Sequence, residues 1–237
     1  MVDQLEIVLA SLEDHTKDIY PFRLSEHHLD SYNKYLDFAV SVYADKFKQL
    51  YNALALSLET ETYLVYAQCA RAIIEHTAYC RYYSVNKNFE ELQRRFVAGE
   101  STDTQTSQAL DDLDRFVRGT RFSWDSFVEK RFTELSKQPH QPHLKQVHIN
   151  DCLRDWYKEK PNVEHLFDLL CDLVHPNFGG SLMIVRSMDG EVVAGGSGGS
   201  YLCSFIITPT LAGIVGAYDE IQFSFQRLCR LRLAPPA

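Results

Sequence analysis

The sequence predicts an all-α protein, a multi-helix bundle of about eight or nine helices. Two observations lead to this fold class. Apolar residues recur three and four positions apart along most of the 237 residues, which is the spacing of one helix face. The stretch 61–83 is apolar around most of its circumference, which predicts a central helix buried among the others. We therefore expect a single helical domain, 1–237. Its one non-helical element is a small β-hairpin near 182–194.

The first half of the chain carries four helical patterns, each with a visible end. Tyr20-Pro21-Phe22 ends the first, because proline lacks a backbone donor and restricts the residue before it. Gly99 closes the fourth, as glycine often does after the last helical turn. The predicted helices cover residues 2–18, 28–58, 61–84 and 86–99.

The second half begins with a polar, turn-rich segment at 100–108, which predicts a loop. Pro161 suits the first turn of a helix, and Pro209 predicts a kink or a restart. Apolar residues on both sides of Asp189-Gly190 predict the hairpin, inserted at about 181–195 before the last helix and followed by a glycine-rich connector. The predicted helices cover about 108–118, 123–137, 148–159, 162–175 and 201–233.

Composition favours a globular protein of the cytoplasm. The formal net charge is -8, so the chain has no overall attraction to nucleic acid, although a local basic groove is compatible with it. None of the six cysteines forms a Cys-x2-Cys pair, which favours reduced thiols in a cytosolic protein. We see no signal peptide and no stretch of about 18 apolar residues, so we expect no membrane association.

Polar residues interrupt the apolar central helix along one line. Successive helical residues advance about 100°, so five side chains fall on a narrow stripe. Arg71 and Glu75 are four residues apart and can form an ion pair. The pair is either structural, fixing helix register, or part of an active site. The stripe consists of Gln68, Arg71, Glu75, Tyr79 and Tyr82.

A second polar line lies on the predicted helix 162–175. Asp168, Asp172 and His175 align there, away from the apolar face that includes Phe167. A carboxylate one turn before a histidine can orient the imidazole and raise its basicity. The alternative is a solvated acidic face with a histidine that complements the helix dipole. We expect the charged line of the central helix to converge with His175.

These two helices carry a resemblance to a known family. Arg71-x3-Glu75, followed by Leu-Leu-Cys-Asp-Leu-Val-His-Pro-Asn at 169–177, resembles a group of uncharacterised bacterial proteins. That group is similar to the HEPN-like (higher eukaryotes and prokaryotes nucleotide-binding) helical superfamily. The resemblance covers roughly residues 30–178 and rests on these two motifs. It implies a HEPN-like helical fold.

Many HEPN members are ribonucleases of toxin–antitoxin and antiphage defence systems, with an Arg followed four to six residues later by a His. Arg71 and His76 have that spacing, and Ala72 stands where the family usually has a polar residue. The resemblance implies metal-independent RNA cleavage by a toxin or antiphage defence effector, without a cofactor. It also implies RNA as substrate and a cognate protein partner or antitoxin.

If the activity carries over, Arg71 holds the phosphate and stabilises its developing charge, while His76 or His175 is the general base for a ribose 2′-OH. In a straight helix Arg71 and His76 point about 140° apart, so their pairing needs a distorted helix or a second subunit. We therefore expect a homodimer with a composite cleft. The alternative is a non-catalytic helical module that binds a partner protein or a nucleotide, with Arg71, Glu75 and His175 as scaffold.

A third hypothesis, which we rank last, is a metal-dependent helical enzyme. The spacing His-x2-His-x4-His-x3-Cys can supply metal ligands. It lies partly in a proline-containing segment and equally fits a simple polar loop. The four residues are His140, His143, His148 and Cys152.

Overall fold

The computed structural model describes most of the chain and leaves several gaps. The described residues are 2–13, 29–120, 126, 129–130, 144–176, 178–182, 184–188, 191–194 and 200–233. Outside this part lie most of the helix predicted at 123–137, most of the segment 138–147 and the glycine-rich residues 195–199.

Helices account for most of the described residues, which confirms the all-α bundle. The helices are α1 (Val2–Glu13), α2 (Leu29–Glu59), α3 (Tyr63–Ser84), α4 (Lys87–Val97), α5 (Asp103–Arg118), α6 (Ile149–Glu159), α7 (Pro161–Val174), α8 (Phe178–Leu182) and α9 (Ser200–Arg230). The strands are β1 (Val185–Met188) and β2 (Glu191–Ala194).

The central position of α3 is confirmed, because it packs against α2, α6, α7 and α9. Its small and β-branched residues, among them Ala70, Ile73, Ile74 and Ala78, are fully buried and allow these helices to approach closely. One cluster of buried apolar side chains includes residues from α1 to α9. The helix that the sequence places at the centre therefore carries Arg71, Glu75 and His76, and it packs against the helix that carries Asp172.

The prediction of a loop at 100–108 is wrong for most of that range. Helix α5 already begins at Asp103, with Thr102 at its N-cap position. Thr106 is buried, and the carboxylate of Asp103 lies in the first turn, where a negative charge complements the helix dipole. The hydroxyl and acidic residues that suggested a turn are helix-start residues here.

Two antiparallel strands occupy the range in which the sequence predicts a hairpin. Val185 pairs with Ala194 and Met188 with Glu191. The residues between the strands, Asp189 and Gly190, lie outside the described part.

Helix α9 continues through Pro209 instead of restarting there. Proline cannot donate to the carbonyl one turn earlier, so nearby carbonyls need other partners. The Thr210 hydroxyl donates to the Ile206 carbonyl at 2.9 Å, and the Tyr66 hydroxyl lies 2.8 Å from the Thr210 Oγ1. The 31-residue helix thus continues past the proline, with a buried pair of hydroxyls packed beside it.

The end of the described chain is fastened to the start of α2. The Asn33 amide donates to the Leu233 carbonyl at 2.8 Å and accepts from the Leu233 N–H at 2.9 Å. Arg232 adds an ion pair to Asp37 at 2.7 Å. We call this arrangement the Asn33 clasp.

Candidate functional site

Arg71 and Glu75 form the ion pair that their spacing predicts. The Arg71 Nε lies 2.9 Å from the Glu75 Oε1, and the two side chains are 31% and 27% exposed. The guanidinium also lies over the ring of Phe167 on α7, 5.6 Å from its centre. The pair therefore sits at the edge of the α3–α7 interface, in contact with solvent.

The thiol of Cys171 lies beside this ion pair, one turn after Phe167. Burial raises the pKa of Cys171, the Glu75 carboxylate raises it further, and the Arg71 guanidinium opposes the rise. A thiol with a raised pKa is a poor nucleophile at neutral pH. Cys171 thus contributes packing at this interface.

His76 lies on another side of α3 and faces α2. Its ring centre is 6.3 Å from those of Tyr43 and Phe47, and its Nδ1 is 2.8 Å from the carbonyl of Ala72. Burial lowers the pKa of His76, and the nearby Lys46 ammonium lowers it further. The bond to the Ala72 carbonyl opposes this fall in the pKa, and the imidazole packs beside two aromatic rings of α2.

Asp172 and His175 lie near the end of α7, and both are exposed. His175 has an extended backbone at the C-cap position, where its N–H donates to the Cys171 carbonyl at 3.1 Å. A side chain at Gly179 of α8 would collide with the Asp172 carboxylate, so that carboxylate lies against α8. No hydrogen bond or ion pair joins Asp172 to His175, and the predicted orienting contact is absent from this pair.

The predicted residues thus have different nearest neighbours, although the Glu75 carboxylate also acts on His76 and opposes the fall in the pKa of its imidazole. Within the described part of the chain, Arg71 and Glu75 are the two predicted site residues that bond to each other. Helices α3 and α7 do meet, but through Phe167. The expected contact between the charged line of α3 and His175 is not among the interactions of these residues.

The most buried charges of α3 were not on the predicted line. The Arg81 Nη1 lies 3.1 Å from the Glu220 Oε1 on α9, and its Nη2 also pairs with Glu159 at the end of α6. The Lys160 Nζ lies 3.2 Å from the other Glu220 oxygen. We call these four residues the Arg81 network. They come from distant parts of the sequence, so no local spacing could reveal them.

A cleft of about 420 Å³ lies beside the Arg81 network, between α6, the start of α7 and α9. It is lined on one side by the network members Glu159 and Lys160 and on the other by Gly213 and Gly216. Trp156 also lines it, is 2% exposed, and has an indole Nε1 without a hydrogen-bond partner among the described residues. We call this the α7 cleft.

A second, more polar cleft of about 390 Å³ lies between α3, α4 and α5. Asp112 is 8% exposed and accepts from Asn86 Nδ2 at 3.0 Å and Asn88 Nδ2 at 2.6 Å. Arg115 also donates to Asp112 at 3.4 Å. The Asp112 carboxylate thereby joins α5 to the N-terminus of α4. The side chains that donate to it, those of Asn86, Asn88 and Arg115, serve this structural contact.

The predicted metal ligands are only partly described. His140 and His143 lie outside the described residues, while Cys152 is buried and His148 caps α6 by accepting from the Asn150 N–H. Among the described residues, no group of three or more His, Cys, Asp or Glu is placed to hold a metal ion. The described helices also contain no segment that is both long and apolar enough to cross a membrane.

Comparisons with family models, curated proteins and solved structures return no match for this chain.

Proposed function

We propose that the chain is a helical binding module for a partner protein or a nucleotide, in which the predicted site residues hold helices in place. One observation carries this proposal: the guanidinium of Arg71 and the imidazoles of His76 and His175 have different nearest neighbours, which are Glu75 and Phe167, the ring of Tyr43, and solvent. A general base must come within hydrogen-bond distance of the hydroxyl it deprotonates, beside the group that binds the phosphate. In one copy of the chain these groups form no such set.

The environment of each residue supports a structural role. The Nε of Arg71 donates to Glu75, and the face of its guanidinium lies over the ring of Phe167. His76 packs beside two aromatic rings, and burial lowers the pKa of its imidazole. These contacts connect α3 to α7 on one side and to α2 on the other.

A HEPN-like ribonuclease, acting as a toxin or antiphage defence effector, is the second candidate. The imidazole of His175 is exposed and forms no hydrogen bond or ion pair with another residue of the described part of the chain. It follows the helix whose Phe167 contacts Arg71. A second copy of the chain could therefore complete a metal-independent site with His175, which is the homodimer that the family resemblance implies.

Four proteins separate the two candidates: the wild type, Arg71→Ala, His175→Ala and His165→Ala. The last is a matched control, since His165 is exposed on the same helix. Growth arrest on expression, RNA cleavage in EDTA, and circular dichroism are measured for each. A binding module leaves RNA intact in all four. Cleavage by the wild type that His175→Ala abolishes, with helicity retained and His165→Ala active, overturns the binding proposal.

A further inference from the structure

Within the described part of the chain, Lys46 on α2 is a half-buried cation that forms no ion pair and no hydrogen bond. Its Nζ lies 4.3 Å from the centre of the Tyr43 ring, one turn earlier on the same helix. Lys48, which is half-buried as well, instead pairs with Glu13 at 2.8 Å. The ring face replaces only part of the hydration that Lys46 loses, so its charged form is disfavoured.

The sequence of α2 explains why Lys46 lacks a counter-ion. Side chains three and four residues apart are neighbours on a helix. At these positions Lys46 has two aliphatic residues, an aromatic residue and an amide, namely Val42, Leu50, Tyr43 and Gln49. The adjacent Asp45 is exposed and accepts from the Gln49 amide at 2.6 Å.

The groups that face Lys46 from α3 carry no negative charge. The ring centre of His76 is 6.3 Å from that of Tyr43, and the Lys46 charge lowers the pKa of this imidazole. Cys80 is fully buried, and burial raises the pKa of its thiol well above the ordinary value, so the thiol stays protonated. Neither group can neutralise the ammonium.

The balance of these surroundings favours the neutral amine. Burial lowers the pKa of Lys46, and the smaller opposing effect of Cys80 does not cancel it. Helices α1, α5 and α9 also pack against α2, and no charged group on them contributes to this shift. A lysine without its proton is a nucleophile, and desolvated lysines are the ones that condense with carbonyl compounds in proteins.

We propose that Lys46 is a covalent binding site for an uncharged aldehyde, which it holds as a Schiff base. The absence of a net ligand charge follows from the same surroundings. No second cation of the described helices acts on Lys46, so none is placed to hold a carboxylate or a phosphate there. The site lies on the α2–α3 face and goes beyond the partner binding proposed above.

The reaction at Lys46 needs no oxidant and no reductant. The ammonium first gives one proton to water. The nitrogen lone pair then attacks the carbonyl carbon and forms a C–N bond, while the carbonyl oxygen takes up a proton and becomes a hydroxyl. The two N–H hydrogens of the amine and this oxygen leave together as one water molecule, and a C=N bond remains.

The test measures how fast each lysine of the full, folded chain is labelled by benzaldehyde in the presence of cyanoborohydride, which reduces the imine. Peptide mass spectrometry gives the rates at Lys46 and at its matched control, Lys48. Val42→Glu places a carboxylate one turn before Lys46, and Val42→Gln has the same shape without the charge. Lys46→Arg verifies the assignment of the labelled peptide, and circular dichroism verifies the fold of each variant.

Near about pH 7 we expect Lys46 to be labelled at least about threefold faster than Lys48, because more of its amine is neutral. The ratio falls toward one at about pH 10, where both amines lose their protons, and also in urea. Val42→Glu slows labelling of Lys46 at least about threefold relative to Val42→Gln, since a nearby carboxylate favours the ammonium. With 4-carboxybenzaldehyde the ratio is lower than with benzaldehyde.

The proposal is overturned if Lys46 is labelled no faster than Lys48 near neutral pH, or if the ratio persists in urea. Equal rates in Val42→Glu and Val42→Gln also overturn it, because the missing counter-ion would then have no effect. A higher ratio with the carboxylated aldehyde overturns the preference for an uncharged ligand. Each of these results leaves the binding-module proposal intact, which fails instead on the His175-dependent cleavage of RNA described above.

Discussion

The Arg81 Nη1 donates to the Glu220 Oε1 at 3.1 Å, and both side chains are less than a tenth exposed. This ion pair joins the central helix to the last one across 139 residues of sequence. Removing one partner of such a buried pair leaves the charge of the other partner poorly solvated.

Replacing Arg81 by Met should therefore destabilise the protein strongly. We expect the free energy of unfolding to fall by about 3 kcal/mol, because Glu220 keeps Lys160 as its remaining partner. Urea unfolding followed by circular dichroism measures the change. Arg94→Met is the control, since Arg94 forms exposed ion pairs with Glu91 and Glu100 and should lose less than about 1 kcal/mol. Equal losses in the two variants would contradict the assignment.

Replacing Arg71 by Ala should lower the free energy of unfolding much less than the loss of a partner from a buried ion pair would. The Arg71–Glu75 pair is about one-third exposed, so water can solvate Glu75 once its partner is gone. We expect a loss of about 1 kcal/mol, the sum of an i,i+4 pair and the contact with Phe167. The same urea titration measures it, with Arg154→Ala as the exposed control. A loss above about 3 kcal/mol would show that Glu75 is effectively buried.

The pH dependence of stability should carry a contribution from His76. Burial lowers its pKa in the folded state below the ordinary value of 6.5, so the unfolded chain binds the proton more tightly. The contribution is fully present above 6.5 and is lost as the pH falls toward the lowered folded pKa. Stability measured at about pH 7.5 and about pH 5.5 should differ less in His76→Gln than in the wild type.

His165→Gln is the control for that experiment, since His165 is exposed on α7. It should keep the pH dependence of the wild type. A wild-type slope that His76→Gln leaves unchanged would mean that the acid sensitivity comes from other groups.

Asp112→Asn should loosen the junction between α4 and α5. The carboxylate accepts from the amides of Asn86 and Asn88, and an amide in its place must turn a donor toward at least one of them. We expect a loss of about 1–3 kcal/mol in the free energy of unfolding. Asp111→Asn, at the neighbouring half-buried position, should change it by less than about 0.5 kcal/mol. Similar losses at both positions would contradict this role for Asp112.

The sequence predicted the helices well where one pattern determined them. The apolar circumference of α3 predicted its central place, and Gly99, whose φ is 68°, ended α4 as expected. The start of α5 was predicted too late because Thr and Asp favour both turns and helix starts, and only the burial of Thr106 decides between them.

The candidate site was predictable only in its local part. Arg71 and Glu75 are four residues apart on one helix, so their contact follows from helix geometry. The partners of Arg81 lie 78 and 139 residues away and depend on how whole helices pack. The α7 cleft likewise is lined by residues from four helices, and no short motif encodes such a surface.

The Asn33 clasp has a consequence for how this protein is made. Its two hydrogen bonds join residues 200 positions apart, so they form only after nearly the whole described chain has left the ribosome. Asn33 must therefore wait for 200 further residues before it gains this partner, and native contacts of this sequence separation are associated with slow folding. A nascent chain halted after α9 but before Leu233 should be markedly more sensitive to protease near Asn33 than the released protein.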